Sequence, residues 1–90
     1  MTHVRWTAHA LEGLTDRAID RDEAEETLAD PELTSPGHGS RVIYMRRYHD
    51  RGLGQDMLIC VVTETRGDET TIVTVYKTSK IEKYLGGGKR

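Results

Sequence analysis

The opening stretch THVRWT alternates apolar and polar positions and predicts a short strand. AHALEGLTDRAI, residues 8–19, then changes period. Leu11, Leu14 and Ala18 recur at i, i+3 and i+7 with Ala10 beside them, which predicts a helix. Thr7 is its N-cap, and Gly13 weakens it by about 1 kcal/mol relative to alanine. A second helix is predicted from Asp20 to Ala29. Asp20 and Glu23 have capping-box spacing, Ile19 and Ala24 have the spacing of a hydrophobic staple, and acids fill the first turn, where they suit the helix dipole. Pro31 ends it.

SPGHGS, residues 35–40, reads as a loop. Three strands follow. RVIYMRRYH (41–49) is β-branched and aromatic at first and polar later. DMLICVVTE (56–64) is a nearly continuous apolar run, the pattern of a central strand. TTIVTVYK (70–77) is strongly β-prone. The turns DRGLGQ and TRGDE make them an antiparallel meander with 56–64 in the middle. In SKIEKYLG, Ser79 and Glu82 form an S-x-x-E capping box, and Ile81, Tyr84 and Leu85 form one apolar stripe ahead of Gly86. The predicted order is β, α, α, β, β, β and a short C-terminal α. This is an α+β domain over residues 1–85, with two helices on one face of the sheet and a flexible tail at 86–90.

Composition narrows the class. The chain has 90 residues, 36% hydrophobic and 31% charged, which is a globular balance. It holds no apolar run of membrane-spanning length and no signal-peptide core, so the expectation is a cytoplasmic protein without membrane contact. Cys60, the single cysteine, sits in LICVV and reads as a small buried hydrophobe. The net charge of −2 hides segregation: residues 8–33 carry nine acids against two arginines, and residues 41–90 carry ten bases against six acids. The second half alone mildly suggests a nucleic-acid partner.

Three constellations could carry chemistry. His9, Gly13 and Arg17 recur at i, i+4 and i+8, within an arc of about 80° and off the Leu11/Leu14/Ala18 stripe. A neutral imidazole can take a proton from a ribose hydroxyl, and a guanidinium can hold the phosphate, which are the parts of metal-free RNA cleavage. The plainer reading has Arg17 paired with an acid such as Asp20. Next, Tyr76, Lys77 and Lys80 gather where the last strand enters a helix N-terminus, a place that suits an anion. Here the plainer reading is a capped helix, with the acidic stretch 20–32 supplying the balancing charge. Last, Arg46 aligns with Tyr44 and Tyr48 on one strand face, either as a platform for nucleic acid or as the solvent side of a charge-blunted edge strand. His3, His9, His38 and His49 have no ligand spacing and Cys60 has no partner, so neither a metal nor a cofactor is expected.

HALEGLTDRAI, the acidic helix closing in Leu-Ala-Asp-Pro, and TVYKTSKIEKY are together similar to a small prokaryotic domain family without an established function. His9, Ala10 and Arg17 match its opening, and Thr74 and Tyr76 its ending. Gly13 stands where that family has its first arginine, and Ala18 where it has a glycine. The element order looks like that of RelE/ParE-type toxins, compact α+β ribonucleases or gyrase poisons. The resemblance implies a metal-independent ribonuclease or toxin-type protein with His9, Arg17 and Tyr76 as catalytic groups. It further implies Lys77, Lys80 and Arg46 as phosphate or RNA contacts, and RNA or a small antitoxin-like protein as partner of a monomer or homodimer. The alternatives are a non-catalytic RNA- or protein-binding module on the same scaffold and a small structural partner in a larger complex. For residues 76–81 the expectation is weak, salt-sensitive binding of single-stranded RNA or another phosphate-bearing ligand.

Overall fold

The computed structural model describes residues 3–86. Of the tail expected at 86–90, residues 87–90 lie outside the described residues. The elements run β1 His3–Trp6, α1 Ala8–Asp16, α2 Arg21–Ala29, β2 Leu33–Pro36, β3 Arg41–Asp50, β4 Gln55–Arg66 and β5 Glu69–Thr78. A single π-helical turn follows at Glu82–Gly86. The strands form one sheet in the order β1-β5-β4-β3-β2. β1 lies parallel to β5, and all other pairs are antiparallel. The meander is as expected, with the apolar run LICVV in the middle strand. β2 corrects the sequence reading, which placed a loop from residue 35. LTSP pairs with Val42–Met45 instead. Pro36 sits at the end of this edge strand, where a missing N–H costs the sheet nothing.

β4 is buried on both faces, which divides the core in two. Ile59 and Val61 meet Ala10, Leu14, Ile19, Ala24, Ile72 and Val75 beneath the helices. Leu58, Cys60 and Met45 face the other way and are covered by Tyr76, Ile81, Tyr84 and Leu85. The predicted C-terminal stripe therefore packs as expected, and the short helix predicted there forms as a single π-helical turn rather than an α-helix. Its Ser79 capping box is replaced by the Thr78 hydroxyl, which accepts the Lys80 N–H at 3.1 Å. A segment of one turn has little helical stability of its own and takes the winding that its packing dictates.

In α1 the buried face is Ala10, Gly13 and Leu14, and Leu11 is left 39% exposed. This corrects the Leu11/Leu14/Ala18 stripe. The small residues allow the helix to settle close to β5: a Cβ on Gly13 would stand 3.4 Å from the Val75 carbonyl oxygen. Thr7 caps the helix as predicted. Its hydroxyl accepts the Ala10 N–H at 3.1 Å and donates to the Ile72 carbonyl at 2.9 Å, joining helix to sheet. Asp20 occupies the N-cap position of α2, but its side chain makes no capping bond. Ile19 and Ala24 are both buried in the same cluster, as a staple requires.

α1 ends in a Schellman motif. Ile19 N–H donates to the Leu14 carbonyl at 2.9 Å and Ala18 N–H to the Thr15 carbonyl at 3.3 Å. This geometry needs a left-handed residue between them, and Ala18 adopts it at φ 53°. A Cβ in that region is unfavourable by about 1 kcal/mol or more, whereas glycine is not penalised there. Ala18→Gly is therefore expected to stabilise the fold by up to about 1 kcal/mol, the strain relief being partly offset by glycine's greater freedom when unfolded. A urea denaturation midpoint checks this, and an unchanged or lower midpoint would count against the strain.

Candidate functional site

β3 ends at Asp50, the first residue of the turn to β4. Its Oδ1 accepts the Leu53 N–H at 3.0 Å, a local bond that aspartate makes readily at turns. Its Oδ2 accepts two further donors, the Tyr48 hydroxyl at 2.7 Å and the Lys77 ammonium at 2.6 Å. Tyr48 shares a strand face with Asp50 because the two are two residues apart. Lys77 also donates to the Ala18 carbonyl at 3.2 Å. The left-handed turn after α1, the tip of the β3–β4 hairpin and the end of β5 are thus tied at one point. The pair is almost dry, with the Lys77 and Asp50 side chains 13% and 7% exposed. It lies at a cleft of about 390 Å³ whose other walls include Ala18, Asp20, Glu23 and Arg51.

The Lys77 hydrogen bond, followed by those from Tyr48 and the Leu53 N–H, holds the Asp50 carboxyl well below the usual carboxylate range. Burial, and then the bond to Asp50, pushes the Tyr48 phenol well above its ordinary value. A carboxylate so stabilised takes up no proton near neutrality, and a phenol so raised gives none up. The cluster's chemistry is that of a structural tie. Sequence reasoning named Tyr48 only as a neighbour of Arg46 on a nucleic-acid platform, and it did not single out Asp50. The signal was there: Tyr-x-Asp places both side chains on one face, and the Asp opens an Asp-Arg-Gly turn.

His9 on α1 and Arg17 at its C-cap are both exposed, eight residues apart and so about 12 Å along the helix axis. The Arg17 side chain folds back toward Gly13, with Nη1 3.0 Å from where that residue's Cβ would stand. Because Lys77 bonds the carbonyl of Ala18, the residue after Arg17, these two cations share one corner of the molecule. Tyr76 does not join them. It is the cross-strand neighbour of Cys60 and packs on the sheet face away from the helices. Lys80 is exposed beyond the end of β5.

Arg46 lies under α2, donating to the Asp30 carbonyl at 2.9 Å and to its carboxylate at 3.2 Å. Glu26 stands 4.0 Å from its other terminal nitrogen. It thereby supplies the positive charge that the last turn of α2 lacks in its own sequence. β2 flanks β3 only over Val42–Met45, and Arg46 shares with Tyr44 and Tyr48 the face that packs toward the helices, so the solvent-side reading of Arg46 is also corrected. The acid that meets Lys77 comes from Asp50, while the acidic stretch 20–32 serves Arg46 and, through Glu32, Arg47.

Burial pushes the Cys60 thiol up to about 11 and the Tyr76 phenol beside it up to about 12. Cys60 is fully buried. Its labelling by a thiol reagent in the native state is expected to be at least about a hundredfold slower than in urea, because both access and thiolate are scarce. Labelling at the free-thiol rate would contradict this packing. Among the described residues no cluster of three or more His, Cys, Asp or Glu side chains could hold a metal ion. No described helix is long and apolar enough to cross a membrane.

Comparison with curated proteins found no match, and comparison with solved structures found none. The family model described as domain of unknown function (DUF4258) matches residues 6–77. The match runs from the last residue of β1 to the Lys77 that closes the Asp50 tie. Trp6 through Lys77 make up most of the chain, so the protein belongs to the DUF4258 family.

Proposed function

We propose that this domain is a non-catalytic binding module that takes a protein partner, built on a RelE-like α+β scaffold. The observation that carries this reading is the fate of the basic residues. Lys77 is engaged by Asp50, Arg46 by Asp30, Arg47 by Glu32 at 3.0 Å, and Arg41 and Arg66 both flank Glu64 at 3.8 and 3.7 Å. The charge that looked segregated along the sequence is interleaved in space. A surface of alternating sign offers little to a phosphate backbone, whose binding rests on uncompensated cations. A general base on α1 and a phenol on the far side of the sheet also cannot reach one scissile bond, which weighs against the metal-independent ribonuclease reading. Mixed charge around a contiguous apolar cleft, where exposed Val4 lies beside Trp6, Leu28 and Ala29, suits contact with another protein.

The test is fluorescence anisotropy with a labelled single-stranded RNA of about ten nucleotides in low salt, with a cleavage assay on the same RNA. The expected result is no saturable binding at about 0.1 mM protein and no cleavage. Binding that weakens steeply with salt and is reduced in Arg17→Ala or Lys80→Ala would overturn the reading, because the RNA alternative requires those cations to be free. Should RNA fail, pull-down with the purified product of a neighbouring reading frame addresses the protein partner. Saturable complex formation would support the proposal.

A further inference from the structure

We draw no further inference here: the strongest candidate, the apolar cleft that Val4 and Trp6 of the β1 edge form with Leu28 and Ala29 of α2, is an unpartnered face, and nothing in the structure shows what covers it.

Discussion

Lys77→Met is expected to lower the thermal midpoint by on the order of 10 °C, a large loss for a domain of this size. Methionine keeps most of the side-chain volume and removes the charge. What is lost is the partner of a buried carboxylate, and an unpaired buried charge is far more costly than a missing surface ion pair. If Lys77 were a solvated lysine waiting for phosphate, the midpoint would hardly move. The pH dependence gives a second check. Asp50 has a folded-state pKa depressed below the unfolded value of about 3.9. Its contribution is therefore fully present above that value and is lost as pH falls below it toward the folded pKa. The gap between the native protein and Lys77→Met should be widest near neutrality and shrink below about pH 4. In Asp50→Asn the effect of removing Lys77's charge should be much smaller than in the native background, since the two groups act as a pair.

Leu58→Ala and Ile59→Ala are each expected to cost about 3 kcal/mol, and both should be severe. Neighbouring strand residues point to opposite faces, so the two substitutions cut separate cores. Ile59 packs beneath the helices, and Leu58 lies beneath the C-terminal turn. Both are fully buried, and truncating a buried Leu or Ile loses its transfer free energy and leaves a cavity. Equilibrium urea unfolding of the two variants checks this. A one-sided sheet would give one severe and one nearly silent substitution. A mild Leu58→Ala in particular would mean that Ile81, Tyr84 and Leu85 do not cover the second face.

Local chemistry made much of this fold readable. The unbroken LICVV run, bounded by turn residues, read as a central strand buried on both faces, and the threonine before α1 could be read as its cap. The errors arose where tertiary contacts choose among local options. Apolar periodicity gave α1 a stripe through Leu11, but close approach to β5 favoured the small residues Ala10 and Gly13. Residues 33–36 carry no strong strand signal and are held in the sheet by pairing with β3. The S-x-x-E pattern at 79–82 is followed, from the fourth residue on, by Gly86, Gly87 and Gly88, which disfavour an α-helix, and the segment winds into one π-helical turn instead. The candidate site was the least legible part. Lys77 was noticed because lysine beside a helix start looks uncompensated. Its partner is 27 residues away in sequence, at a turn whose aspartate looked like ordinary turn chemistry. Charge pairing across a sheet has no short-range signature, so the basic second half suggested nucleic acid until its acids were seen in place.

Asp50 holds Lys77's charge inside the fold. NMR titration of the Asp50 carboxyl carbon from pH 7 downward tests this pairing most directly. No inflection is expected near pH 4, with the carboxyl still ionised well below the ordinary aspartate range. An inflection near the ordinary value of about 3.9 would mean that Lys77 and Asp50 do not pair in solution. That result would return Lys77 to the surface as a free cation and reopen the RNA-binding reading.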